Sequence, residues 1–227
     1  GEGSPYTNQF APIGSGTAVV SIGNPLGQNI PTANMSNAYE AGDLRKAASM
    51  RTSYVLGGNT VNHNYIVKYA GVPAANLDSD NNWIVMRYAD VLLMYAEAET
   101  EVSGAPTTAA YKAVNEVRRR GYGKDVNTPD ATIDFSGMGK ASFLSALQDE
   151  RSRELAFESI RKGDLVRWGL LVNKMKTVEA DFGKDIVPDN LKHGAKTFKS
   201  ASARDVVFPI PAYEMSLNRL LVQNYGW

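Results

Sequence analysis

Cysteine is absent from this 227-residue sequence, which removes thiol nucleophiles, CxxC redox chemistry, cysteine-ligated zinc and iron–sulfur clusters together. The absence leaves the redox compartment open. Histidine is nearly absent: His63 and His193 are the only imidazoles, far apart in loop-like sequence that suits exposed or locally satisfied rings better than metal ligands. No metal and no cofactor are expected. Net charge is missing as well, with 24 Lys plus Arg against 24 Asp plus Glu, so no overall basic field collects nucleic acid or an anionic membrane. The longest apolar run, Val91 to Ala96, falls far short of the roughly 20 residues that cross a bilayer, and no apolar signal-peptide core is present. The sequence opens Gly-Glu-Gly-Ser without Met, which reads as a processed or truncated start.

What is present is ordinary for a folded chain. Hydrophobic residues make up 43%, charged residues 21%, and mean hydropathy is −0.29, which excludes a disordered or collagen-like chain. The length suits one large domain or two small ones, burying roughly 70% of the unfolded surface.

The texture divides the chain at residue 82. Residues 1–82 are rich in Gly, Asn, Ser, Thr and Pro and predict a loop-rich segment, with Thr17–Ile22 and Tyr65–Tyr69 as short strands. One helical turn is expected at Asn37–Ala41, with Leu44-Arg45 leading into an extended segment. From Trp83 the residues Ile84, Tyr88, Val91, Leu92 and Tyr95 recur at three- and four-residue steps, which predicts a long helix. It is apolar around most of its circumference and should be covered on more than one side. Gly104-Ala105-Pro106 stops it, and Thr107 or Thr108 caps a second helix with Ala110, Val114 and Val117 inward, ending at Gly121. The pair forms an antiparallel hairpin like one unit of a tetratricopeptide array. A loop over Asn127–Gly139 precedes a third helix over Ser142–Ser159 with Phe143, Leu144, Leu147 and Leu155 inward. Further helical pieces are expected at Leu165–Val172, Met175–Ala180 and Glu214–Leu217, with Val206–Pro211 as an extended edge segment. The fold class is mainly α with a few short strands.

The densest chemistry lies in Glu150-Arg151-Ser152-Arg153-Glu154-Leu155-Ala156-Phe157-Glu158, followed by Arg161, Asp164 and Arg167. Glu150, Glu154 and Glu158 recur at four-residue steps along one helix face, a ladder that could supply the two carboxyls of a glycosidase. The competing account is structural. Arg151 shares the inward stripe of Leu147 and Leu155, and a buried guanidinium needs carboxylate partners. Arg87, Asp90, Glu97, Arg151, Glu154, Glu158, Arg161, Asp164 and Arg167 are therefore read as an ion network registering the helices, with no nucleophile or metal motif beside it. Asp78-Ser79-Asp80-Asn81-Asn82 starts like a calcium loop, but Trp83 and Ala89 stand where that loop requires Gly and Glu. Gly14-Ser15-Gly16 and Gly137-Met138-Gly139-Lys140 lack phosphate-loop spacing, and GxSxG and HExxH are absent.

Aromatic residues among Asn and Gly suit a neutral sugar, whose C–H faces stack on rings and whose hydroxyls pair with polar side chains. Tyr6, Phe10, Tyr39, Tyr54 and Tyr65 have that setting, whereas Tyr88, Tyr95 and Trp168 lie in helical stripes and are expected in the core.

Several segments carry a family resemblance. Arg87-Tyr88-Ala89-Asp90-Val91-Leu92-Leu93-Met94-Tyr95-Ala96-Glu97-Ala98 resembles the RYADVLLMYAEA signature of SusD/RagB proteins. Val114 to Arg120 resembles that family's N-x-VR-x-R helix, and Glu150 to Glu158 with Arg161 and Asp164 to Gly169 resembles its ERxxELAFE stretch and following DLvRWG. Phe208-Pro209-Ile210-Pro211 and the segment Asn218 to Trp227 are similar to its FPIP and closing motifs, with Tyr225 in place of the usual Pro; Tyr39, Asp43 and Arg45 resemble its Y-x-x-x-D-x-R element.

The resemblance implies a SusD-like helical fold, of which 1–82 is the middle and 83–227 the C-terminal helical region, the N-terminal half being absent. It further implies a surface lipoprotein of the outer membrane of Bacteroidetes-type bacteria. Such a protein binds glycans without cleaving them and passes them to a SusC-like TonB-dependent transporter. It touches the membrane only through a lipid anchor missing from this chain. The matching motifs name no ligand residue; composition points to Tyr54, Asn62, Asn64 and Tyr65, with Tyr39 behind them. The alternatives are a docking scaffold whose ligand site lies in the missing half, and a glycoside hydrolase using the Glu150, Glu154, Glu158 ladder.

Overall fold

Glycine and proline punctuate the first eighty residues so closely that only short elements form there. In this computed structural model, which describes residues 3–182 and 194–227, they are α1 (Tyr6–Phe10), α2 (Ala33–Asn37), α3 (Arg45–Ser49), β1 (Met50–Leu56) and β2 (Asn59–Ile66). His193 lies outside the described residues. Three expectations change here. Thr17–Ile22 is no strand: Gly16–Ala18 makes one 3-10 turn that begins on a left-handed Gly16 two residues after a left-handed Gly14, and of the apolar residues only Val20 is fully buried. The turn expected at Asn37–Ala41 falls earlier, because the Thr32 hydroxyl accepts the Met35 N–H and starts α2 there. Arg45 begins a helix and not an extended run, since the Asp43 carboxylate accepts the Arg45 N–H at 3.0 Å and Leu44 N–H donates to the Gly121 carbonyl.

The two strands pair antiparallel from Leu56↔Asn59 to Met50↔Ile66, with an irregularity between Arg51 and Ser53. Gly57 and Gly58, at φ 56° and 81°, close the hairpin in the two-residue left-handed turn that suits strand twist. Of the expected strand Tyr65–Tyr69, only Tyr65 and Ile66 belong to β2.

The helical part follows as α4 (Tyr88–Ser103), α5 (Thr108–Gly121) and α6 (Lys140–Glu154). α4 starts five residues later than its periodicity suggests, because Trp83 and Ile84 pack extended against Phe10, Ile66 and Tyr69. Gly104 ends it at φ 74°, and the Thr107 hydroxyl caps α5 by accepting the Ala110 N–H. Ala89, Leu93 and Ala96 of α4 meet Ala110, Ala113, Val114 and Val117 of α5 and Phe143 and Leu147 of α6 in one core. Alanines bring the backbones close, and the larger side chains fill the gap.

Tyr88 and Tyr95 are corrected: they are 71% and 48% exposed, not core. With Val91 they lie on the side of α4 away from Leu93 and Ala96, where α5 and α6 pack. Periodicity marks a face as apolar without saying what covers it. α6 also stops at Glu154, short of the expected Ser159, for a reason found in the charge cluster below.

Contacts divide the chain into two units between Arg161 and Lys162. The second carries nearly all of α7 (Arg161–Arg167), then α8 (Leu171–Phe182), α9 (Gly194–Ser200), a 3-10 turn at Ala203–Val206 and α10 (Ala212–Leu217). Gly169, at φ 68°, separates α7 from α8 and interrupts the helix expected over Leu165–Val172. Trp168 is half-buried beneath the Arg167 guanidinium, 4.5 Å from its ring, and not in a core. Residues 208–211 are irregular, with no strand partner among the described residues. None of the described helices is long and apolar enough to cross a membrane.

Candidate functional site

A charge cluster lies behind α5 and α6. Glu150, with 0% exposure, has one oxygen accepting from Arg45 at 2.5 Å and the other from Arg118 and Arg153, each at 2.8 Å. Asp43 grips the Arg45 guanidinium with both oxygens at 2.8 and 2.7 Å, and a further Arg45 N–H reaches Glu154 at 3.0 Å. Glu154 also accepts from Arg87 and Arg120, and Glu158 from Arg87 and Lys68. Every one of these carboxylates faces at least one guanidinium or ammonium, which is the condition for burying charge at tolerable cost.

The electrostatics follow from that arrangement. Burial alone would raise the Glu154 pKa, but the positive charges of Arg87 and Arg120 and the hydrogen bonds from Arg87 and Arg45 hold it below the ordinary value. Burial lowers the Lys68 ammonium despite Glu158 beside it. Arg45 is raised: burial works against its charge, and its bonds to Asp43 and Glu150 outweigh that. The Arg118 guanidinium donates to the Ile133 carbonyl at 2.7 Å and covers the Phe135 ring at 4.0 Å.

The same cations end α6. Arg87 donates to the Glu154 carbonyl, and Lys68 to the carbonyls of Glu154 and Ala156 at 3.2 and 3.0 Å. Glu154 and Ala156 would offer those oxygens to residues 158 and 160 in a continued helix. Cations at a helix C-terminus also match its dipole. The chain turns instead, with Phe157 and Ser159 in left-handed conformations, and brings Glu158 back into the cluster.

Glu40 closes one rim. Burial pushes its carboxyl up, but hydrogen bonds from Arg118 and Tyr122 and the charge of Arg153 bring it down to about 2. Its stabilising contribution is complete above the ordinary value near 4.5 and disappears as pH falls through about 2. Glu40→Gln should therefore flatten the fall of melting temperature between pH 5 and pH 2, read from thermal melts at each pH. An acid limb as steep as the wild type would refute this.

Of the network residues expected from sequence, the cluster gathers Arg87, Glu154 and Glu158. Arg151 pairs with Asp90 at 2.8 Å, and Glu97 stands two turns beyond Asp90 on the same side of α4. Arg161 donates to the Gln148 carbonyl at 3.1 Å, and Asp164 pairs with Arg167 within α7. Sequence reasoning missed Glu40, Asp43, Arg45, Lys68, Arg118 and Arg120 as partners, whereas Arg153, part of the constellation read from sequence, pairs with Glu150. A signal existed for some of them: the Y-x-x-x-D-x-R and N-x-VR-x-R elements are distant in sequence and converge here on Glu150 and Glu154.

The five residues expected to bind ligand do not form one face. Tyr39 is 8% exposed, its hydroxyl donating to the Arg153 carbonyl at 3.3 Å and its pKa raised by burial. Tyr65 is equally buried, with its ring edge-on to Tyr54 at 6.2 Å. Asn64 donates to the Pro31 carbonyl. Asn62 is exposed but pairs with Ser53, which places it on the face opposite Tyr54. His63 is half-buried, its Nε2 lacks a partner among the described residues, and burial lowers its pKa. Tyr69 and Trp83, which the sequence did not single out as sugar contacts, stack at 5.0 Å and 6°, with Tyr6, one of the aromatics that composition did point to, tilted against both.

Comparison with known proteins places this geometry. The SusD family matches residues 21–227. The chain is 29% identical over 212 residues to "SusD-like protein P25" of Formosa agariphila, covering 88% of this chain and 35% of that protein. A solved SusD homolog from Bacteroides thetaiotaomicron superposes with TM-score 0.77 at 24% identity, over 94% of this chain and 48% of that one. "Surface glycan-binding protein A" from Bacteroides fluxus superposes with TM-score 0.67 at 23% identity, over 100% and 46%. The chain thus spans less than half the length of each. With the family matched over nearly the whole sequence and the fold shared with solved relatives, this chain belongs to the SusD family.

Proposed function

We propose that this chain is part of a cell-surface protein that captures glycans without cleaving them and delivers them to a SusC-like TonB-dependent transporter. The protein would be held at the outer face of the outer membrane by a lipid anchor. Family membership and the glycan-binding name of the Bacteroides fluxus relative support carbohydrate as the ligand class.

The observation that carries the non-catalytic reading is the commitment of the carboxylates. A glycosidase acid needs a raised pKa and access to the scissile bond. Glu150, Glu154 and Glu158 are buried, each is held by at least two cationic side chains, and Glu154 is shifted the wrong way for an acid. The experiment is calorimetric titration of this chain with soluble polysaccharides, with reducing ends assayed in the same samples. Heat without new reducing ends is expected. New reducing ends would overturn the reading in favour of an enzyme, and no heat with any glycan would favour a docking scaffold.

A further inference from the structure

We propose that Trp83 and Tyr6 form a stacking corner for a neutral pyranose ring, an assignment that rests on the glycan-binding reading above. Trp83 lies flat on Tyr69, with ring centres 5.0 Å apart and planes within 6°. Tyr69 is 3% exposed, and its hydroxyl donates to the Phe157 carbonyl. One face of the indole is thus occupied by a buried ring, while Trp83 itself is only partly buried.

Tyr6 repeats the arrangement. It is partly buried and backed by the buried Phe10 ring one helical turn on, at 6.0 Å and 10°. Its ring meets Trp83 at 5.4 Å and 55°. Two outer rings, each supported by a buried one, therefore meet at an angle. The exposed Tyr88, Tyr213 and Tyr225 have no ring stacked behind them among the described residues.

The corner is fixed from below. Thr7 Oγ1 and Asn81 Nδ2 both donate to the Tyr69 carbonyl, at 3.2 and 2.9 Å, and Gly71 N–H donates to Thr7 Oγ1 at 3.1 Å. Ser4 and Ser79 exchange backbone bonds at 2.8 and 2.9 Å, tying the two segments that carry Tyr6 and Trp83. Rings held this way lose little freedom on binding, which favours affinity.

The charge pattern selects the ligand. No Lys or Arg occurs in residues 1–44 or 69–86. The cations bordering the second stretch, Lys68 and Arg87, are committed to Glu158. Asp80 and Asn82 are exposed within three residues of Trp83 and can meet hydroxyl groups. The stretches that carry Tyr6 and Trp83 thus offer an acidic sugar a carboxylate and no cation of their own, whereas a neutral pyranose can lay its C–H face on the indole.

The test titrates this chain calorimetrically with laminarin, dextran, soluble starch and arabinogalactan, and with alginate as the polyuronate. Trp83→Ala and Tyr6→Ala should each weaken binding of the neutral glycan by about tenfold or more, about 1.4 kcal/mol, with Trp83→Phe close to wild type. Because Trp83→Ala also uncovers Tyr69, a second readout uses Trp168→Phe with Trp227→Phe, which leaves Trp83 as the sole indole. Its emission should shift on saturation. Unchanged emission, or binding retained in both alanine variants, overturns the corner and leaves glycan capture standing. Binding of alginate alone overturns the neutral class. No heat with any glycan in the wild type removes the capture reading for this chain, and the corner with it.

Discussion

Glu150→Gln is expected to lower the melting temperature of this chain by about 6 to 20 °C. Removing one partner of a buried ion pair costs about 3 to 5 kcal/mol, and about 1 kcal/mol moves a protein of this size by roughly 2 to 4 °C. Glu150 suits the upper part of that range, because its two oxygens serve Arg45, Arg118 and Arg153 together. A neutral amide offers one acceptor oxygen and brings two N–H donors into a site already crowded with donors. Asp43 and Glu154 would still hold Arg45, and Glu40 would still hold Arg118 and Arg153, so the loss stays finite. Circular dichroism melts of the wild type and the variant measure it, with the exposed Glu101→Gln as a control expected within about 0.5 kcal/mol. A Glu150→Gln shift below about 2 °C would show that the cluster registers nothing.

That cluster also marks where the sequence stops being readable. The α4, α5 and α6 segments are legible because their signals are local: a left-handed Gly104, the Thr107 cap and apolar residues at helical spacing. Gly57-Gly58 carried an equally local hairpin signal that the loop-rich composition around it obscured. Arg45 and Glu150 are a different case. They are 105 positions apart, and nothing in either neighbourhood names the other. The exposure of Tyr88 and Tyr95 was illegible for a related reason, since an apolar stripe looks the same whether or not something lies over it. The end of α6 depends on Lys68 and Arg87 reaching its last carbonyls from other segments. The candidate sugar contacts were scattered over Tyr39, Tyr54, Asn62, Asn64 and Tyr65 because composition does not say which face a side chain occupies. Trp83 went unread because it looked like the first turn of a helix.

Phe143→Ala is expected to cost about 3 to 5 kcal/mol, the range for deleting a buried aromatic ring and leaving a cavity. Phe143 is fully buried near the start of α6, where it packs with Leu93, Val114 and Leu147. Its ring stands edge-on to Tyr111 at 5.1 Å and 80°, which adds to the area term. Tyr111 in turn donates to the Met138 carbonyl at 3.2 Å and accepts the Met138 N–H at 2.7 Å, fixing the loop that enters α6. The loss should therefore exceed that of Leu147→Ala, which removes a smaller side chain from the same core. Val102→Ala, by contrast, should fall within about 0.5 kcal/mol, because Val102 is 88% exposed although it belongs to the same apolar helix. The double variant of Phe143→Ala and Glu150→Gln tests whether the two ends of α6 dock independently. The residues are two turns apart and share no partner among the described residues of the core or the cluster, so their costs should add within about 0.5 kcal/mol. A deficit of 1 kcal/mol or more would mean that α6 loosens as one body, and that the charge cluster depends on the apolar core to hold its carboxylates in place.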